Sequence, residues 1–295
     1  MLWRYNQKRF RAARQEKSLT INQGPLMLRL RIQSTGTTLM LDNLLSFDSL
    51  VRGWIILAIF TLILLLFVRA PYGRHQRPGW GPAIPARIGW FVMELPSLII
   101  FPIFWLRLSN SDSQSNQAVI LLSMLWLAHY FHRTAIWPIR AEIHNKTMPI
   151  SIAVFAFIFN CTNASMNGFA LFVLNFYPSD WVLSFPFLIG SFLFVFGFLV
   201  NVSSDNKLFK LRKNDDREYG IPNGGLYRWV TCPNYLGEIL EWIGWAIACW
   251  SLAGVSFAIW VIANLAPRAR SNHQWYHEKF RDYPKDRKIL VPFIW

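Results

Sequence analysis

Residues 219–245 read YGIPNGGLYRWVTCPNYLGEILEWIGW, and this stretch determines how the rest of the chain is interpreted. It begins as a polar, turn-rich loop and continues into an apolar helix that carries Asn234, Glu238 and Glu241. If the helix enters a bilayer, two carboxylates lie at or just inside its end, where ionisable groups are costly and usually functional. The alternative is a pair of acids at the start of the helix, where the helix dipole favours negative charge. Dipole capping, however, requires neither the asparagine nor the second acid.

The composition indicates a membrane protein. Of the 295 residues, 53% are hydrophobic, and they include 15 tryptophans and 24 phenylalanines in long apolar runs that a soluble domain does not need. We therefore predict an all-α, polytopic membrane protein with about seven transmembrane helices over residues 49–295, preceded by a basic, disordered tail over residues 1–48. The predicted spans lie near 53–68, 88–106, 117–132, 149–177, 181–202, 235–250 and 252–266.

The positions of the charges predict the orientation. The net charge is +14, and most of the 30 lysines and arginines lie in the tail and loops at one end of the predicted bundle. The loops at the other end carry only Arg107, so the positive-inside rule places the basic end in the cytoplasm. Basic residues of the segment 1–48 fall on the opposite side and conflict with this rule. Because the charges flank apolar spans, nucleic acid is not expected as a partner.

Common nucleotide and metal motifs are lacking in the sequence. Cys161, Cys232 and Cys249 have neither a disulfide framework nor a metal-binding spacing. Because no GxGxxG or GxxxxGK[ST] is present, a bound nucleotide must be held in another way.

Glu94 is predicted to lie about two turns into the second span, after the turn-rich segment APYGRHQRPGWGPAIPAR. A carboxylate at this depth needs a partner or a proton. One interpretation is a structural ion pair with an arginine such as Arg87. The other is a functional acid, and we favour it because ionisable residues within membrane spans are usually functional.

The third span ends in AHYFHRTAIWP, where polar side chains follow an apolar run. Tyr130 and Arg133 are three residues apart and share a face, as do His129 and His132. Neither a carboxylate nor a third ligand accompanies the histidines locally, so no metal site is predicted. The tyrosine has the alternative role of an aromatic anchor at the membrane interface.

The fourth span carries a polar stripe, Asn160, Asn163 and Asn167, on an otherwise apolar helix. Hydrogen bonds between helices and the lining of a cavity explain this stripe equally well.

Together with the C-terminal HQWYHEKFRDYPKDRKILVPFIW, the stretch 219–245 strongly resembles the steroid 5α-reductases, from about residue 70 to the C-terminus. These are NADPH-dependent membrane enzymes that reduce the C4–C5 double bond of 3-oxo-Δ4 steroids. The resemblance implies two catalytic residues. Tyr130 lies in HYFHRT, which resembles a family motif whose tyrosine donates a catalytic hydrogen bond. Glu94 matches the glutamate that helps to bind the 3-oxo group. A donor at this oxygen makes chemical sense, because hydride addition to an enone places negative charge there.

The resemblance also implies NADPH as the cofactor. Three positions depart from the family pattern: Met93 replaces a common glutamine, Gly220 replaces an arginine of some members, and Asn272 precedes His273 where adjacent histidines are usual. A basic run such as 207–213 is alternatively a lipid-facing surface. The expected cofactor-binding residues are Arg133, Asn201, Asp205, Arg212, Tyr219, Asn234, Glu238, His273 and Tyr276.

A steroid-like, lipophilic substrate is expected to contact Trp242, Phe159 and Trp260, although aromatic residues in a bundle more often serve packing. Membrane lipid surrounds the protein, and no obligate protein partner is predicted. The host membrane is a bacterial inner membrane or the endoplasmic reticulum, with the cofactor side cytoplasmic. The alternatives are a related enoyl thioester or polyprenol reductase and a membrane methyltransferase that uses S-adenosylmethionine.

Overall fold

A computed structural model describes residues 26–108, 116–214 and 220–295, with side chains over 46–108, 116–212 and 220–295. The structure is 75% helical, which confirms the predicted all-α class. Within the described ranges the main elements are seven helices: α1 (Leu26–Phe67), α2 (Ala86–Leu108), α3 (Gln117–Arg140), α4 (Ile150–Leu174), α5 (Phe185–Asn214), α6 (Pro233–Cys249) and α7 (Leu252–Lys279).

Six of these helices are long and apolar enough to cross a bilayer. Helix α6 has 17 residues, which is just short of a usual span, and most of its side chains are buried between its neighbours. The predicted multi-pass membrane fold is therefore confirmed. The description below concerns the compact unit Asp48–Trp295.

Glycines bring α5 and α6 into close contact. A Cβ atom on Gly197 or Gly237 would overlap the backbone of the facing helix, and the same holds one heptad away at Gly190 and Gly244. Small residues at regular spacing allow two membrane helices to approach until their backbones touch. This contact sets the side chains on the last turns of α5 against the first turns of α6.

A π-helical turn over His132–Ile136 interrupts α3 directly after Tyr130. A similar turn, Ala170–Leu174, ends α4. Such turns are rare and occur frequently at functional sites, because they change which side chains share a face. In α3 the turn lies beside the residues that the sequence singles out.

The long loops meet at one end of the bundle. Strands β1 (Ala83–Pro85) and β2 (Thr147–Pro149) pair antiparallel and join the loop before α2 to the loop before α4. Val230 forms a parallel bridge with Lys288, so the loop before α6 contacts the C-terminal segment. At the opposite end the connections are short, and the Tyr177 hydroxyl donates to the Cys249 carbonyl at 2.7 Å.

Two boundaries differ from the sequence prediction. Helix α7 does not end near residue 266. It continues past Pro267 to Lys279, so His273 and Tyr276 lie on a transmembrane helix and not on a separate tail. Helix α1 begins at Leu26, inside the segment predicted as a tail, and residues 1–25 lie outside the described part. The last two helices are separate, because the chain turns at Trp250 with a φ of 47°.

Candidate active site

Glu94 on α2 and Arg133 on α3 form a buried ion pair, with 3.4 Å between Oε1 and Nη2. The guanidinium also lies over the rings of Trp90 and Trp137, at 5.0 and 5.1 Å. Arg87, the partner proposed in the structural interpretation of Glu94, instead donates from Nη2 to the Ile139 carbonyl. The acid is thus paired, but with the arginine of the π-helical turn.

Asn160 on α4 completes this cluster. Its amide donates to the Met93 carbonyl at 2.7 Å and more weakly to Glu94 Oε2 at 3.5 Å, and its Oδ1 accepts from the Ser97 hydroxyl at 3.0 Å. Tyr130 is 2% exposed, and its hydroxyl lies beside the Ser97 side chain. The two residues expected to be catalytic, Glu94 and Tyr130, therefore belong to one buried cluster.

The other two asparagines of the stripe on α4 bond to each other and to α6. Asn167 donates to Asn163 at 3.1 Å and accepts from the Trp245 indole at 2.9 Å. The stripe therefore divides, because only Asn160 reaches the cluster around Glu94.

Four of the expected cofactor residues form a network where α5 meets α6. The Asn201 amide donates to the Asn234 carbonyl at 3.0 Å and to Glu238 at 3.5 Å, and the Asn234 amide donates to Asp205 at 3.0 Å. The Trp137 indole donates to the second oxygen of Asp205 at 2.6 Å. Because the same indole ring lies under Arg133, this network adjoins the Glu94 cluster.

His129 and Glu241 form a second buried pair that the sequence prediction does not include in the site. The distance between Nδ1 and Oε1 is 2.7 Å, and the side chains are 4% and 0% exposed. The signal in the sequence is the second acid of the stretch 219–245, which helix capping does not explain. Its partner, His129, is apparent only from the contact between α3 and α6, because the spacing of residues along the sequence does not predict that contact.

Aromatic rings lead from Tyr130 into the bundle. Tyr130 contacts Trp242 at 5.8 Å between ring centroids, and Trp242 contacts Phe257 at 4.1 Å. Phe257 contacts Phe159 at 6.3 Å, and Phe159 contacts Trp260 at 5.1 Å. The three residues expected to contact substrate, Trp242, Phe159 and Trp260, therefore belong to one continuous series, which we call the aromatic wall.

His273 and Tyr276 lie at the loop end of α7. His273 Nδ1 is 2.6 Å from the Thr231 hydroxyl, which is 2.8 Å from the Tyr283 hydroxyl. Tyr276 stacks on Tyr283 at 5.1 Å, and Arg74 lies over the Tyr276 ring. Burial raises the pKa of the Tyr283 hydroxyl, which therefore stays protonated and able to donate.

Asn272 has different partners from His273. Its amide nitrogen lies 3.4 Å from the Tyr235 hydroxyl, and its oxygen lies 3.1 Å from His75 Nε2. Burial, with nearby Arg268, lowers the pKa of His75 to about 4, so this imidazole is neutral at physiological pH.

The remaining expected cofactor residues lie apart from these contacts. Arg212 Nη1 donates to the Ala141 carbonyl at 2.8 Å, beside the loop between α3 and α4. Tyr219 lies outside the described residues.

These features define a multi-pass membrane protein with an enclosed polar site of the kind found in enzymes. Residues 146–295 match the model of the family described as 3-oxo-5-alpha-steroid 4-dehydrogenase. The chain is 43% identical to "Steroid 5-alpha-reductase DET2" of Gossypium hirsutum, over 81% of this chain and 94% of that protein. It is 40% identical to "3-oxo-5-alpha-steroid 4-dehydrogenase 1" of Rattus norvegicus, over 86% and 97%.

The chain therefore belongs to the 3-oxo-5-alpha-steroid 4-dehydrogenase family, and it is an oxidoreductase of the class that acts on CH–CH groups. The resemblance noted in the sequence is confirmed.

Proposed function

We propose that this protein reduces the C4–C5 double bond of 3-oxo-Δ4 steroids, or of similar flat lipophilic enones, with NADPH as the hydride donor. The single observation that carries the proposal is the buried cluster of Glu94, Arg133 and Tyr130 at one end of the aromatic wall. The names of the relatives, which are steroid reductases, support the same substrate class. We assign the activity to residues 49–295.

The residues present fit a phosphorylated dinucleotide. Phosphates require cationic N–H donors, and a ribose requires carboxylate or amide partners. Arg268 Nη1 and Arg287 Nε are buried and have no hydrogen-bond partner among the described residues. Arg287 also donates to Pro222 and Asn223, in the loop before α6. The residues that would hold the cofactor are Asn201, Asp205, Asn234, Glu238, Arg268, His273, Tyr276 and Arg287, with Arg133, Arg212 and Tyr219 also expected on the family resemblance.

When bound, reduced nicotinamide supplies the hydride that adds to the β-carbon of the enone. The Tyr130 hydroxyl donates a hydrogen bond to the enone oxygen, and Glu94 holds the guanidinium of Arg133 in place through their ion pair. Arg133 supplies positive charge beside the same oxygen. Because this oxygen becomes negative only as the hydride arrives, these groups stabilise the transition state more than the bound substrate. The α-carbon then takes a proton, which completes the addition of two hydrogens.

The loop end of the bundle is the proposed cofactor side. It carries most of the basic residues and the unpartnered guanidinium nitrogens of Arg268 and Arg287, and by the positive-inside rule we assign it to the cytoplasmic side.

The test is a reduction assay on the purified protein in detergent. We expect NADPH consumption with a 3-oxo-Δ4 steroid and a product two mass units heavier, but no turnover of an enoyl thioester or a polyprenol. Tyr130→Phe and Glu94→Gln should each lower kcat/KM about 100-fold or more. Tyr177→Phe, at the opposite end of the bundle, is the control. Full activity in both site variants would exclude this mechanism, and binding of S-adenosylmethionine in place of NADPH would exclude the reductase.

A further inference from the structure

Two indole N–H groups in the bundle have no hydrogen-bond partner among the described residues. They belong to Trp54 on α1 and Trp260 on α7, and both nitrogens are buried. The two rings are 4.9 Å apart, and Phe159 lies against both, at 5.9 Å from Trp54 and 5.1 Å from Trp260. The two donors thus belong to neighbouring side chains of one packed cluster of aromatic rings.

This lack of partners is unusual within the same protein. A buried tryptophan usually finds an acceptor for its N–H, and an unsatisfied buried donor costs about 1–3 kcal/mol. Within a bilayer span no bulk water is available to replace the acceptor. Four other indoles in and around the bundle donate to acceptors at 2.6–3.1 Å: Trp126 to Ser97, Trp137 to Asp205, Trp181 to Ala248, and Trp245 to Asn167.

The two donors lie at the far end of the aromatic wall. The wall starts at Tyr130, continues through Trp242, Phe257 and Phe159, and ends at Trp260. The enone oxygen, in the proposed function, lies at the Tyr130 end. A rigid, flat substrate that lies along the wall brings its opposite end to Trp260 and Trp54.

We propose that Trp54 and Trp260 form a subsite for an oxygen acceptor at the end of the substrate remote from the enone. The subsite selects steroid-like enones that carry a carbonyl or hydroxyl oxygen at this end over those that end in hydrocarbon. This inference rests on the proposed function. Its physical basis is that a site with buried donors rejects a ligand without the matching acceptor, because the donors then stay unsatisfied.

The experiment compares two 3-oxo-Δ4 steroids that differ only at C17, one with a carbonyl and one with a methylene. Wild type should prefer the carbonyl compound in kcat/KM about tenfold, as expected for one or two net hydrogen bonds. Trp260→Phe and Trp54→Phe keep a ring but lose the N–H. Each should reduce this preference several-fold, because the rate on the carbonyl compound falls more than the rate on the methylene compound.

Trp181→Phe is the matched control, since its indole donates to the Ala248 carbonyl at the other end of the bundle. This variant should keep the wild-type preference. Equal rates of the wild type on both steroids, or an unchanged preference in both site variants, would overturn the subsite.

Equilibrium binding of the same two steroids separates this inference from the proposed function. If the wild type binds the carbonyl steroid more tightly and Trp260→Phe loses this selectivity, the subsite is supported. If the wild type nevertheless reduces neither compound, the proposed reductase function is refuted. If the variants do not fold, the comparison of the two steroids on wild type still decides, because equal affinities would refute the subsite.

Discussion

His129 Nδ1 and Glu241 Oε1 are 2.7 Å apart between α3 and α6, and neither side chain is more than 4% exposed. The second carboxylate oxygen, Oε2, is buried without a hydrogen-bond partner among the described residues. His129 also packs edge-on against Tyr130 and Trp242, at 5.0 and 4.6 Å between ring centroids. The pair therefore supports the side of the site where the aromatic wall begins.

Glu241→Ala should destabilise the protein by about 1–3 kcal/mol, because it leaves a buried imidazole nitrogen without its hydrogen-bond partner. Glu241→Gln keeps an acceptor for the imidazole N–H and should cost less. The measurement is thermal inactivation in detergent, followed by loss of the monodisperse peak in size-exclusion chromatography. Glu278→Ala, at an exposed position of α7, is the control and should not change the midpoint. Equal midpoints for Glu241→Ala and Glu278→Ala would contradict the structural importance of the pair.

Arg133→Lys should not preserve activity. The guanidinium contacts Glu94 and lies over two indole rings, and a lysine provides neither the planar group nor the stacking. We expect kcat/KM for a 3-oxo-Δ4 steroid to fall about 10-fold to 100-fold. Arg140→Lys, on the same helix at an exposed position, should retain full activity. An active Arg133→Lys variant would show that only a positive charge is needed.

Asp205→Asn should weaken cofactor binding more than substrate binding. Asp205 accepts from the Trp137 indole and from the Asn234 amide on its two oxygens, and an asparagine presents an NH₂ group to one of these donors. The KM for NADPH should therefore rise several-fold while the steroid KM changes little. In the exchanged variant Asp205→Asn with Asn234→Asp, one donor and one acceptor are restored between the helices. Part of the loss should then be recovered, and no recovery would argue against this hydrogen bond as the cause.

The class of fold could be predicted because hydrophobicity and length are local properties of the chain. The end of α7 could not, because Pro267 and the charged residues after it suggest a stop. In the structure this part of the helix continues because it packs against the loop before α6. Thr231 contacts His273 and Cys232 contacts Asn272, at 2.6 and 3.7 Å.

The family resemblance supplies the expected members of the candidate site, whereas the pairs that they form are visible only in the structure. The resemblance implied Glu94, Tyr130 and the network around Asp205, and the structure brings these residues together. The structural alternative for Glu94 paired it with an arginine such as Arg87, but a π-helical turn in α3 presents Arg133 instead. His129 pairs with Glu241 through a contact between residues 112 positions apart, which no spacing rule contains.

Gly237→Ala should disrupt the site without removing any polar side chain. The added Cβ would lie 2.5 Å from the backbone nitrogen of Asn201, so α5 and α6 must separate. Overpacking of this kind costs about 1–3 kcal/mol and should also raise the KM for NADPH, since Asn201 and Asp205 move away from α6. Gly53→Ala on α1, where a Cβ meets nothing within 4 Å, is the control. Wild-type stability and KM in Gly237→Ala would show that the helices tolerate a larger spacing.

The pH dependence of stability tests His75, at the loop end of the bundle. Its pKa is lowered to about 4 in the folded protein, chiefly by burial, whereas an unfolded chain has the ordinary value near 6.5. Between these values the unfolded state binds more protons, so His75 makes the protein lose stability as the pH falls from about 6.5 to 4 and has no effect above this range.

His75→Gln keeps a donor for Asn272 but cannot titrate. The drop in the midpoint of thermal inactivation between pH 7.5 and pH 5 should therefore be smaller in His75→Gln than in wild type. Identical drops in wild type and His75→Gln would mean that this imidazole is not held neutral by its surroundings.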